Sequence, residues 1–138
     1  MSDKRAVSAA YGKERRSEGL AAAARVNRAG LLDLGERIAL RERVSVTEAP
    51  AARSVMIELG TPVGAFCFTE VVVTTAAVNV GGAPGWAAVM GFDQEAALAA
   101  AIADATASVE VRDLAEDALS IEASARLHSA SAMAQTKV

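Results

Sequence analysis

The run from Phe66 to Val80 constrains the fold more than any other part of the chain. It reads Phe66-Cys67-Phe68-Thr69-Glu70-Val71-Val72-Val73-Thr74-Thr75-Ala76-Ala77-Val78-Asn79-Val80. β-branched and aromatic residues dominate it, as a pleated and half-buried surface prefers. Phe68, Val72, Ala76, Val78 and Val80 alternate only partly with Val71, Val73 and Ala77, so both faces of the predicted strand are mostly apolar. A strand of that kind is covered on both faces. In a chain of 138 residues, one of those covers can be another protein. Gly81-Gly82-Ala83-Pro84-Gly85 then breaks the run. Trp86 to Met90 supplies a second short strand, and Asp93 is placed to N-cap the alanine-rich helix that follows.

The remaining elements are arranged around this unit. Residues 1–14 mix Lys, Asp, Ser and Gly without period and read as a mobile tail, with a single domain over 15–138. Arg15 to Val26 suits a short helix, and Asn27 can cap a second one on which Leu31, Leu34 and Ile38 recur at helical spacing. Val44 to Thr47 reads as a strand. Glu48 to Arg53 reads as a turn, because Pro50 cannot donate to a sheet ladder. Ser54 to Gly60 is a further strand, and Thr61-Pro62-Val63-Gly64 a further turn. The helix from Gln94 to Thr106 has almost no polar side and predicts burial or close approach on more than one side. A last helix from Glu110 to about Ala134 carries Val111, Leu114, Ala118, Ile121, Ala125, His128 and Ala132 on one stripe. Asp113, Glu116, Asp117 and Glu122 decorate its outer side. The expected class is α+β: N-terminal helices, a four-stranded antiparallel sheet and two C-terminal helices.

Composition removes several functional classes. The net charge of −3 argues against a nucleic-acid footprint and against an anionic membrane surface. No apolar run reaches transmembrane length, since Thr74, Thr75, Asn79 and the glycines interrupt the only candidate. The charged start of the chain lacks a secretory apolar region, which predicts a cytoplasmic protein. Aromatic residues make up only 4%, so the core must rely on close approach of backbones rather than on large anchors.

The chemical inventory is sparse. One histidine and one cysteine give no expected metal site and no disulfide. His128 lies on an apolar stripe with nothing nearby to complete a triad, and reads as a packed or partner-facing histidine. Cys67 reads as a small core residue. Glu70 is a carboxylate in the most apolar strand, where burial without a partner is costly. It points to solvent at a sheet edge, has an arginine or backbone partner, or serves a site. The glycine cluster lacks a Gly-Lys-Ser/Thr ending and is a hairpin connection. The helix start at Gly91-Phe92-Asp93 offers free amides to an anion, but Asp93 competes for them and no basic residue lies beside it in sequence. No catalytic residue is assigned.

Several motifs, in order, resemble the G subunit of the carbon–phosphorus lyase core complex of bacterial phosphonate metabolism. They are Ala49-Pro50 through Val55-Met56, Phe66-Cys67-Phe68-Thr69-Glu70, Val73-Thr74-Thr75, Gly82 to Gly85, Gly91-Phe92-Asp93, Ala96 to Asp104-Ala105, and Gln135-Thr136-Lys137-Val138. Two arginines of the family pattern are Thr75 and Phe92 here. The strand motif has Cys67 and Thr69 in place of Asn and Gly, and the aromatic tail after Lys137-Val138 is absent.

The resemblance implies an accessory role beside the H and I subunits and an ATP-binding-cassette-like partner. Together they displace adenine from ATP and join a phosphonate to C1 of the ribose triphosphate. A radical J subunit later cleaves the carbon–phosphorus bond. It implies a homodimer within a hetero-oligomer, with ATP used by the complex and no cofactor held by this chain alone. The alternative is a divergent scaffold or assembly protein, and a free-standing small-molecule enzyme ranks last. The candidate interface or functional residues are Glu70, Thr74, Gly91 and Asp93, with Ala100 on the alanine-lined helix.

Overall fold

The computed structural model describes residues 2–60, 64 and 66–136. In chain order the elements are α1 (Ser2–Val26), α2 (Arg28–Arg41), β1 (Val44–Gly60), β2 (Phe66–Val80), β3 (Ala83–Met90), α3 (Gln94–Thr106) and α4 (Val109–Thr136). The α+β class holds, with three strands among the described residues rather than four. The sheet is antiparallel in the order β1-β2-β3.

The missing strand break is informative. Val44–Thr47 and Ser54–Gly60, expected as two strands, are the ends of one continuous β1. Register shifts between Val46 and Glu48, and between Glu48 and Ala51, take up the extra residues. Pro50 sits within that irregular stretch, on the sheet's edge strand, where its missing N–H removes no ladder bond the sheet needs. The helix expected from Arg15 instead begins at Ser2, so the stretch expected as a tail is helical. Lys4, Arg5, Ala6, Ala9, Ala10, Lys13 and Glu14 are good helix formers, and their intrinsic preference outweighs the lack of apolar period. The turn expected at Thr61–Gly64 lies outside the described residues apart from Gly64.

β2 and β3 are joined by a two-residue turn at Gly81 and Gly82, both at positive φ (56° and 93°). A turn with two positive φ values matches the right-handed twist of the flanking strands. The Asn79 side chain accepts from the Gly82 amide at 2.9 Å and pins it.

α3 lies against β2 and β3, α2 and α1 close over α3, and α1 runs along α4. The core fills the space between: Thr74, Ala76, Val78 and Val80 of β2, with Ala87 and Val89 of β3, meet the alanines of α3. Leu20, Leu31, Leu34 and Ile38 close it from above. Small residues set the spacing. A methyl added at Gly35 would stand 2.9 Å from Ala99 Cβ, and one at Gly85 would stand 2.2 Å from the Ala101 carbonyl oxygen. On the α4 stripe Val111 and Ala118 are buried and Leu114 half-buried, whereas Ile121, Ala125 and His128 are exposed.

Among the described residues, no helix lies on the opposite face of the sheet. Register places Val55 and Ile57 of β1, Val71, Val73, Thr75 and Ala77 of β2, and Trp86, Ala88 and Met90 of β3 on that side. Trp86 and Met90 are about half exposed, at 51% and 52%. β2 was expected to be covered on both faces, and only one of its covers belongs to this chain. Beyond Val73 the β3 pairing ends, and β1 and β2 continue together as a two-stranded arm that bears exposed Met56 and Phe68.

Among the described residues, the ion pairs between elements all run one way. Arg15 to Glu116 (2.5 Å), Arg16 to Asp104 (3.0 Å), Arg25 to Glu122 (2.5 Å), Arg28 to Asp93 (2.8 Å) and Arg37 to Glu110 (2.8 Å) each put the arginine on α1 or α2. The carboxylate in each pair lies on α3 or α4 or caps α3. Glu116 and Glu122, expected on a solvated outer side, therefore face α1 instead.

Candidate functional site

Three of the candidate residues meet at the corner where β3 turns into α3. The Thr74 side chain is fully buried on β2. Its hydroxyl donates to the Gly91 carbonyl at 2.5 Å and accepts from the Asp93 amide at 3.0 Å. The Gly91 amide in turn donates to the Val72 carbonyl at 2.8 Å. Gly91 has φ +82°, in the left-handed region that a β-carbon disfavours. One hydroxyl and one glycine thus fix the direction in which α3 leaves the sheet.

Asp93 completes the corner as the N-cap of α3, with Oδ1 accepting from the Ala96 amide at 3.1 Å. A cation does lie beside it, correcting the sequence expectation. Arg28, at the start of α2, donates from Nε to Oδ2 at 2.8 Å and from Nη2 to Oδ1 at 3.0 Å. This fork-on-carboxylate geometry is the strong form of the pairing. It is also what holds the Asp93 carboxyl below its ordinary pKa, with the Ala96 amide assisting and partial burial opposing. Arg28 is raised for the same reason, chiefly by its bond to Asp93. A carboxylate held ionised, with both oxygens engaged, is poorly suited to take up a proton. Arg28, Ala52, Thr74, Phe92, Asp93, Gln94 and Glu95 line an open cleft beside it, and Phe92 stands 81% exposed at the rim.

Glu70 and Ala100 lie elsewhere. Glu70 is exposed on the arm, across the strand pair from Met56, and the Ser54 hydroxyl donates to its Oε1. The carboxylate therefore faces solvent, with a serine as neighbour. Ala100 is fully enclosed. α1, α2 and the sheet cover the alanine face of α3, so the interface candidate Ala100 lies in the chain's own core. Alanine side chains are short enough for all three layers to close in. The Cys67 side chain lies outside the described ones.

Sequence reasoning missed Arg28 and Asp104. Arg28 stands 65 positions from its partner, so no local spacing reveals the pair. Asp104 had a visible signal as the one acidic residue within the alanine run of α3. Its Oδ1 accepts from Arg16 of α1 at 3.0 Å and its Oδ2 from the Trp86 amide of β3 at 3.1 Å, so it ties three elements together. Among the described residues no group of three His, Cys, Asp or Glu side chains is placed to hold a metal ion, and no helix is long and apolar enough to cross a membrane.

No curated protein matches the chain. The family comparison is positive and covers almost its whole length, including the corner, the open sheet face and α1 from Glu14 onward. Residues 14–138 match the phosphonate metabolism protein PhnG family, and the chain belongs to that family.

Proposed function

We propose that this chain is a non-catalytic subunit of the carbon–phosphorus lyase assembly. It acts with the H and I subunits in moving the ribose triphosphate of ATP onto a phosphonate with release of adenine, and upstream of the radical J subunit. Family membership, which implies a role in phosphonate metabolism, carries this reading. The corner adds support: its one carboxylate is saturated by Arg28 and a backbone amide, as a structural cap is. The open sheet face and the arm add exposed apolar surface of the kind that subunits cover. In this reading ATP is a substrate of the assembly, the chain itself holds no cofactor, and the assembly works in the cytoplasm.

The test is reconstitution. Purified H and I subunits, ATP and methylphosphonate are incubated with and without this chain, and free adenine is measured. Adenine release is expected only when the chain is present with its partners. Release by the chain alone, above a buffer blank, overturns the non-catalytic assignment. Partners that bind the chain yet release adenine equally well without it would favour a divergent scaffold. Phe92 and Thr75, which stand where the family pattern has arginines, are the observation behind that second reading.

A further inference from the structure

We propose that the outer edge of β2 in the arm is a strand-addition site whose occupant is an extended segment of a partner subunit, with cationic and apolar residues in alternation. This rests on the subunit role put forward above and adds where a partner is held and by what chemistry. β3 pairs with β2 only as far as Val73, opposite Met90, whereas β1 follows β2 to Phe66. The Gly91 amide donates to the Val72 carbonyl at 2.8 Å, so Val72 turns its backbone groups toward the β3 side. Residues along an antiparallel strand alternate in the neighbour they bond to. The β1 pairing runs without a shift from Thr75 to Phe66, so Glu70 and Phe68 turn their N–H and C=O to the same side as Val72. There β3 has already left for α3, and among the described residues no strand takes its place. Both residues are exposed.

Unpaired edge groups of this kind are a template for another strand, and main-chain bonds then supply the affinity. β1 has a free edge too, but Pro50 and two register shifts interrupt it, and such irregularities blunt an edge. From Phe68 to Val72 the β2 edge has neither. A two-stranded ribbon is marginally stable by itself, and a third strand is what completes it. The side chains say which segment fits. Directly paired residues share a face, so Met56, Glu58, Phe68 and Glu70 lie on one face of the arm and Val55, Ile57, Thr69 and Val71 on the other. Glu58 and Glu70 are diagonal neighbours. The Ser54 hydroxyl donates to Glu70, and among the described residues no cation reaches either carboxylate. An added strand sets every second side chain beside this acidic face, where a lysine or arginine is favoured and an acid disfavoured. Its other side chains extend the uncharged face, where apolar ones continue the surface of Val55, Ile57 and Val71.

The experiment titrates the full chain with the purified H and I subunits, each by isothermal calorimetry, and needs no turnover. Phe68→Pro deletes an outward amide and sets a ring on the open edge, whereas Phe68→Ala removes the same side chain and keeps the amide. Met56→Pro makes the matching change on the opposite edge, since the Met56 amide points away from β2. Phe68→Pro is expected to bind about tenfold or more weakly than Phe68→Ala, and Glu70→Lys to lose about as much against the wild type. Met56→Pro is expected to bind as the wild type does, and circular dichroism checks that each variant folds. Hydrogen exchange on the wild type gives a measurement that needs no variant: the amides of Phe68 and Glu70 are expected to become protected in the complex. Equal binding by Phe68→Pro and Phe68→Ala, an equal loss in Met56→Pro, an indifferent Glu70→Lys, or no new protection at Phe68 and Glu70 in a formed complex each overturns the strand-addition site and leaves the subunit role standing. A wild-type chain that binds neither subunit overturns the subunit role itself, and this occupant with it. Protection of the same amides in the chain alone, rising with its concentration, overturns the assignment to a partner subunit.

Discussion

Gly85 on β3 makes the closest approach in the core that can be tested with one methyl group. In Gly85→Ala the new β-carbon stands 2.2 Å from the Ala101 carbonyl oxygen, 2.6 Å from Ala105 Cβ and 2.8 Å from the Ala105 nitrogen. These obstacles belong to the backbone and shortest side chains of α3, so no rotamer change relieves them. The helix must retreat from the sheet by about 1 Å, and a gap of that size forfeits a quarter to a half of each dispersion contact it opens. Overpacking a tight core costs roughly 1–3 kcal/mol, and a rigid obstacle puts this site near the top of that range. Restricting the unfolded chain returns about 0.4–1 kcal/mol. The net expectation is a loss of about 2 kcal/mol, or a Tm lower by roughly 8 °C in a domain of this size. Thermal unfolding of the isolated chain, followed by circular dichroism, measures it. Gly85→Val should lose more. An unchanged or raised Tm in Gly85→Ala would refute the claim that this contact sets the sheet-to-helix spacing.

Other expectations follow from the same geometry. Ala100→Glu forces a carboxylate into a fully enclosed site and should cost about 4 kcal/mol or more, unfolding the isolated chain; a folded variant with native circular dichroism would show that α3 is not enclosed. Thr74→Val strips the corner of one donor and one acceptor and should lower stability by about 2 kcal/mol in urea unfolding, with no loss meaning that water replaces the hydroxyl. Because the folded-state pKa of Asp93 is depressed, its contribution is complete above the unfolded-state value near 4 and disappears as pH falls through the folded value. Arg28→Ala removes the main cause, so it should be less stable than wild type at neutral pH and converge with it in acid; a difference that persists undiminished at low pH would contradict this. Glu70→Gln should change stability by less than about 0.5 kcal/mol, since Glu70 is exposed, and a larger change in urea unfolding would point to a hidden partner.

What could be read from the sequence was what depends on near neighbours. The Asn27 cap, the Leu31, Leu34 and Ile38 stripe, the hairpin at Gly81 and the Asp93 start of α3 are each set by residues within a few positions, and each is present. The double-sided apolarity of β2 was legible too, and so was the idea that one face is left over. Errors arose where a local rule met a distant constraint. Pro50 read as a strand end because a ladder excludes proline, yet an irregular edge strand admits it. Ala100 was named an interface candidate because its helix has almost no polar side, although three layers of this same chain close on so short a side chain. Of the candidate site, Thr74, Gly91 and Asp93 were found through motif resemblance. Arg28 was not, because nothing within a turn or two of Asp93 hints at an arginine from α2.

The one-way ion pairs have a consequence for how the chain is made. Arg25 precedes Glu122 by 97 positions, and Arg15 precedes Glu116 by 101. At a synthesis rate of roughly 5–20 residues per second, about 5–20 s separate the appearance of each arginine from that of its carboxylate. During that interval Arg15 and Arg25 of α1 exist without the carboxylates that neutralise them, and the leading part of the nascent chain carries an excess of positive charge. The hairpin of β2 and β3, whose partners lie close in sequence, can form well before α1 is able to settle. The seam between α1 and α4 therefore closes last, after the C-terminal helix has left the ribosome, whereas α2 can meet α3 through Arg28 and Asp93 as soon as α3 has emerged.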